Sequence, residues 1–409
     1  MRSTVTAGRS RRPQRGALVV AVAALVVGVP AGAGACGGSS SPAPAATVTV
    51  TVAPSASPSP SSTGAATAQL VVAVASGPKA NGISVVNSTG KVKQLVAPSG
   101  GPVSDLSWAP DGVRLAFLRA VSASDSTSSL FVYNTRKALL YQVGAGVAPA
   151  AIDSYAWVGP TQLVESYFPV GATTYHANGT LYLRDIAKTA GQPVKDSSGH
   201  VVKGVGVSAS ADGAHVASVT YGAKSGGTIP ESLRVYDTSN QSVSTVATRE
   251  APTQEDGDQF TYSRISPDGA LIATLQTGSD IGFGCTVYGV DGAKRLQTGA
   301  LVWPAPVSWT SHGPRLAFGG GPGSGSGERD SLLVWAAGGA KATPVVTGLK
   351  APITSLAWTP KASQIAYAVA RSNGLQSSLW IVDANGSNRH LLLADGSWPA
   401  WAVAPVGFP

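Results

Sequence analysis

Charge and sulfur are both scarce in this 409-residue chain: 12 % of residues are charged, two are Cys and one is Met. So little charge excludes a coiled coil or a long-helix bundle, which are made of charged helix formers. Two cysteines, Cys36 and Cys285, exclude a multi-disulfide scaffold. The five histidines (His176, His200, His215, His312, His390) are scattered without paired spacing. No H-E-x-x-H, phosphate-binding loop or G-x-S-x-G elbow occurs, and the Gly-rich stretch 319–327 lacks the Gly-Lys-Ser/Thr end of a phosphate loop. The longest apolar run, Ala17 to Val29, falls short of the roughly 20 residues that a spanning helix needs.

What remains is 43 % hydrophobic, with 49 Gly and 28 Pro. Wholesale disorder needs low hydrophobicity and high net charge, so this composition points to an all-β domain with many turns. The formal charge of +8 is concentrated at one end. Five Arg and no acid lie in residues 1–35, and without them 24 basic residues face 21 acidic ones, a net of +3. No basic stripe interleaved with aromatics is present, and nucleic acid is not expected as a partner.

The Arg-rich start, the apolar run and the small-residue tract that follows read as an export signal over 1–35. Ala33-Gly34-Ala35-Cys36 resembles a bacterial lipobox, with Ala33 where such boxes usually carry Leu, Val or Ile. That resemblance implies a lipid on Cys36 and a membrane anchor. The same residues also form a plain A-x-A cleavage site, which gives a secreted protein. Residues 36–67 are rich in Ser, Pro, Ala and Thr, and read as the lipidated Cys plus a disordered tether. Within them, Thr47 to Val52 alternates like a strand, but flanking prolines argue against one. Cys285 begins a strand-like run and reads as a buried small hydrophobe.

From residue 68 to 409 the chain repeats. Leu106-Ser-Trp-Ala-Pro-Asp-Gly112 leads into Arg114-Leu-Ala-Phe117, and Arg264-Ile-Ser-Pro-Asp-Gly269 leads into Leu271-Ile-Ala-Thr274. Further copies centre on Trp157, Ala209, Trp309, Trp358 and Trp401, so successive anchors are 43 to 56 residues apart. In each unit Pro presets φ, Asp bonds the local backbone and Gly takes positive φ, which turns one short strand into the next. Four strands at this period are the blades of a β-propeller. Seven anchors give seven four-stranded blades, with a six-bladed ring as the alternative. The seventh is closed by Ala400–Val403 from one end and Leu70–Ala75, Ile83–Asn87 and Val92–Val96 from the other. The anchor aromatics read as packing between blades.

The repeat resembles the TolB-like, WD-repeat-like propeller family of exported bacterial proteins. That resemblance implies fold far more than function, and its members typically carry six blades where this chain counts seven.

Alternation predicts one face of short turns and one of long connections (119–129, 167–179, 221–231, 249–260, 276–284 and 319–330). Loops on a rigid scaffold are where binding is usually placed. The candidate partner-binding residues on that face are Tyr167, Phe168, Tyr175, His176, Asp256, Asp258, Phe283, Trp303 and Arg329. Exposed aromatics with mixed charge suit protein contacts or sugar stacking. The acidic run 255–258 lacks the fuller ligand set of a calcium loop. No metal, cofactor or catalytic residue is expected. The functional expectation is a protein-binding scaffold or sensor in the cell envelope, with a glycan or small ligand as the alternative.

Overall fold

The computed structural model describes residues 50–51, 70–77, 79–120, 128–144, 150–169, 178–188, 190–252, 259–278, 282–298, 306–311, 313–320, 330–371 and 377–403. Among them are 29 strands and no helix. Strand β1 (Val50–Thr51) is followed by β2 (Leu70–Ser76), β3 (Gly82–Asn87) and β4 (Val92–Val96). Six complete blades come next. The first is β5 (Val103–Trp108), β6 (Arg114–Ala120), β7 (Ser128–Asn134) and β8 (Leu139–Gly144); the second is β9 (Ala150–Trp157), β10 (Gln162–Pro169), β11 (Thr180–Asp185) and β12 (Gln192–Pro193). Blade three is β13 (Val205–Ala209), β14 (His215–Tyr221), β15 (Thr228–Asp237) and β16 (Ser242–Pro252), and blade four is β17 (Gln259–Ile265), β18 (Leu271–Gly278), β19 (Gly282–Gly289) and β20 (Lys294–Gln297). Blade five is β21 (Val307–Trp309), β22 (Arg315–Gly319), β23 (Asp330–Ala336) and β24 (Thr343–Leu349). Blade six is β25 (Ile353–Trp358), β26 (Gln364–Ala370), β27 (Ser377–Asp383) and β28 (His390–Leu393), and the last strand is β29 (Ser397–Val403).

The seventh blade has the order β29-β2-β3-β4, so the last strand supplies its inner edge and the first full strands supply the rest. The ring is therefore seven-bladed and closed by both ends of the repeat region. Successive innermost strands (β5, β9, β13, β17, β21, β25, β29) neighbour one another around the axis. One expectation changes. Despite its flanking prolines, part of the Thr47–Val52 segment does pair, with Val50 and Thr51 opposite Leu140 and Leu139 on the outer edge of blade one. An outer edge tolerates such a short strand because only one side needs hydrogen bonds.

The turn chemistry works as the repeat implies. Asp111, Asp212 and Asp268 each accept the amide of the residue two positions on, at 2.9 to 3.1 Å. Gly213 has φ 70°, and a Cβ there would lie 2.0 Å from the Val158 carbonyl of the preceding blade. Only glycine fits that approach.

Apolar side chains form seven clusters, and each fills one interface between neighbouring blades. This is why the second strand of each blade is buried on both faces. Cys285 belongs to the cluster between blades four and five, fully buried, and burial pushes its thiol up to about 12.

Candidate functional site

The anchor residues form the hub. The indole of Trp108 donates to the Ala400 carbonyl at 3.0 Å, and that of Trp157 to Ser107 at 3.1 Å. Trp309 donates to Arg264 at 2.8 Å, Trp358 to Ser308 at 3.1 Å and Trp401 to Ala357 at 3.2 Å. In every case the acceptor immediately precedes the anchor of the previous blade. Blades three and four carry Ala209 and Ile265 as anchors, and serines replace the indoles. There the Val207 amide donates to Ser154 Oγ, and the Ile265 amide to Ser208 Oγ. The anchors are thus structural, as the sequence implied.

Inside this hub each described inner strand except β21 carries an irregularity in register, and two of these set charged groups on the channel wall. Asp105 sits at the bulge of β5 with φ 50°, and Asp153 at that of β9. Asp153 Oδ2 accepts the Gly206 amide of the next blade and the Ser154 hydroxyl, both at 2.7 Å. Burial pushes the Asp105 carboxyl up; Arg264 opposes this, Asp153 adds to it and a hydrogen bond from Ser104 lowers it. Tyr155 donates its hydroxyl to the Asp105 carbonyl, and its own ionisation is pushed far up by burial and by Asp105. Arg264, from blade four, donates to the Ser263 carbonyl at 3.0 Å. Asp105, Asp153 and Arg264 form a polar arc that can ion-pair with, or donate hydrogen bonds to, a polar group entering the channel. Among the described residues no three His, Cys, Asp or Glu side chains gather as a metal site.

Sequence reasoning missed these three. The available signal was a charged residue inside an innermost strand, at most four positions before its anchor, where other blades carry uncharged residues.

The structure places the sequence-derived candidates as follows. Tyr167 is not on an exposed loop: it lies in β10, 7 % exposed, in the cluster between blades one and two. Its hydroxyl donates to Glu165 Oε2 at 2.7 Å, while Arg184 Nε donates to Glu165 Oε1 at 2.7 Å. Burial pushes the Glu165 carboxyl up against the pull of both donors. The correction has a simple cause: β10 runs on to Pro169 and carries Tyr167 into the interface. Phe168 lies in the same strand and Phe283 in β19, by backbone. Tyr175, His176, Asp256, Asp258, Trp303 and Arg329 lie outside the described residues, as does Cys36. The supposed loop 276–284 is mostly strand, since β18 ends at Gly278 and β19 starts at Gly282. Likewise β15 and β16 extend into 221–231 and 249–260.

The two faces still differ. Connections 109–113, 135–138, 158–161, 210–214, 238–241, 266–270 and 290–293 are short turns on one face. On the opposite face successive strands are separated by up to 11 residues, as between Pro193 and Val205, but also by only three after Gly278, Leu349 and Leu393.

Neither a family model nor a curated protein matches this chain. Among solved structures it is similar to an oligogalacturonate lyase in complex with manganese, at a TM-score of 0.50 and 11 % identity, covering 80 % of this chain and 84 % of that one. It is also similar to the tricorn protease, at 0.50 and 10 %, covering 81 % of this chain and 34 % of that one. TolB from Acinetobacter baumannii is similar at 0.44 and 14 %, covering 82 % of this chain and 66 % of that one. At such identities these likenesses concern the fold, and function has to be argued from the site.

Proposed function

We propose that this chain is an exported β-propeller, held at the membrane by a lipid on Cys36, that binds a protein partner in the cell envelope through its long-connection face. One observation supports the reading: the longest intervals between strands, up to 11 residues, fall on one face, where the strands holding Phe168 and Phe283 end, and Tyr175, His176, Asp256, Asp258, Trp303 and Arg329 belong to the sequence of those intervals. A stiff ring presenting loops on one side suits recognition. The reading is one of binding and scaffolding, supported by the use of every described strand from Leu70 to Val403 in blades.

The test is affinity capture of the tagged full chain from detergent-solubilised envelopes, against a variant with Phe168, Tyr175 and Phe283 changed to Ala. A partner retained by the native chain and lost by the variant supports the reading; equal retention removes it. In the same cells Cys36→Ala is expected to shift the protein from the membrane fraction to the soluble one. A second reading, a glycan or small polar ligand in the channel, is favoured by the arc of Asp105, Asp153 and Arg264. It predicts binding that survives the loop substitutions and fails in Asp105→Asn.

A further inference from the structure

The internal repeat supplies its own control for each blade interface. Two residues beyond the partner of each anchor, the second and third strands present a facing pair towards the preceding blade. In blade one that pair is Phe117 and Phe131, in blade five Phe318 and Leu333, and in blade six Tyr367 and Trp380. In blade three the same register position holds Ser218 and Arg234. Blade two has Glu165 and Tyr182 there, blade four Thr274 and Thr286, and blade seven Val74 and Ser84, so blade three is the one that sets a cation beside a small hydroxyl.

Beside Arg234 lies an open cleft of about 480 Å³ between blades two and three, within the size range of small-molecule sites. It is lined by Arg234, Ser232 and Thr220 of blade three, and by a wall that includes Val202 and Lys203. The wall is held in place by a hairpin inserted into the edge of blade two, in which Lys195 bridges Val201. That hairpin is pinned across the cleft to blade three: Tyr236 donates its hydroxyl to the Lys195 carbonyl at 3.1 Å, and the Ser197 amide donates to Gln241 at 2.8 Å.

Arg234 Nε is fully buried with no hydrogen-bond partner. Neither Arg234 nor Lys203 is paired with a carboxylate among the described residues. Asp196, which also lines the cleft, is engaged in its own turn, where its Oδ1 accepts the amides of Ser198 and His200 and its Oδ2 lies 3.6 Å from His200 Nδ1. Leaving a buried guanidinium donor unmatched is costly. A matching anion supplies the missing acceptor, and a planar carboxylate or a phosphate fits the guanidinium fork.

We propose that the cleft between blades two and three is a binding site for a small organic anion, a carboxylate or phosphate on a partly apolar body, held by Arg234 and Lys203. The body rests against Val202 and Val243, and the hydroxyls of Ser232 and Thr220 lie within the same cleft. This inference does not depend on the long-connection face.

The test is binding of benzoate, phenyl phosphate and inorganic phosphate to the full chain, by calorimetry and thermal shift at constant ionic strength, with benzyl alcohol as the uncharged control. Saturable binding of benzoate or phenyl phosphate, and none of benzyl alcohol, is expected; which of the two binds more tightly identifies the head group. Arg234→Met is expected to weaken binding by about tenfold or more while melting, without ligand, at or above the wild-type temperature. Lys203→Gln is expected to weaken binding with no change in melting temperature, since Lys203 is exposed. No saturable binding, binding of inorganic phosphate alone, or equal affinity in Arg234→Met overturns the proposal.

Discussion

Replacing Trp358 by Phe tests whether the indole ring at the hub holds the blades together. Trp358 is 5 % exposed, donates to the Ser308 carbonyl across the interface between blades five and six, and has the Arg315 guanidinium 5.0 Å from its ring centre. Phe removes one interior hydrogen bond, a net loss of about 1 kcal/mol. It also withdraws the buried edge of the larger ring, about 1.5 kcal/mol by transfer and cavity terms, and weakens the cation–π contact by about 0.5 kcal/mol. The expected destabilisation is about 3 kcal/mol. For a domain of this size, with an unfolding entropy of about 2 cal/mol/K per residue, that is a fall in Tm of about 4 °C. Urea unfolding followed by tryptophan fluorescence and calorimetry reads both quantities. An isosteric benzothiophene side chain at the same position removes only the N–H, and is expected to cost about 1 kcal/mol. If Trp358→Phe costs less than about 0.5 kcal/mol, or the benzothiophene costs nothing, the indoles only fill space and the hub argument fails.

Two further predictions follow from closure and from charge. A chain ending at Asp395 loses β29, and with it the Trp401 and Trp398 links to blade six and the acceptor for Trp108; it is expected to lose cooperative melting and its near-ultraviolet dichroism, and a sharp transition within a few degrees of wild type would refute closure by that strand. Because the folded-state pKa of Asp105 is raised, the folded chain takes up that proton first, so this group's contribution declines as pH rises from 3.8 through the raised value. The Tm of wild type minus that of Asp105→Asn is expected to grow as pH falls through this window; a difference that stays flat or shrinks contradicts the assignment.

The ring was legible in the sequence because its parts are local and repeated. A turn of Pro, Asp and Gly, an apolar strand after it and an anchor before it recur often enough to count blades and to assign the closing strands at both ends. The faces were legible only in outline. Strand length at the loop face depends on pairing with the next strand, so β18 and β19 continue through residues that read as loop, and β10 carries Tyr167 into the core. The polar arc and the cleft were not legible because each is defined by what stands opposite. Asp105 meets Arg264 only when blades one and four are brought round the same axis, and Arg234 is notable only once its register position is matched to the apolar pairs of blades one, five and six.

The bond from Trp108 to Ala400 joins residues 292 positions apart. Strands β2 to β4 are among the first made, yet their inner edge has no partner until β29 exists. Contacts this distant in sequence form late and slowly. During synthesis the chain is therefore an open arc with an unpaired strand at its leading end, and maturation is a single terminal event. Anything that must act on the protein before the ring becomes rigid has the whole interval before the seven-residue strand β29 in which to do so.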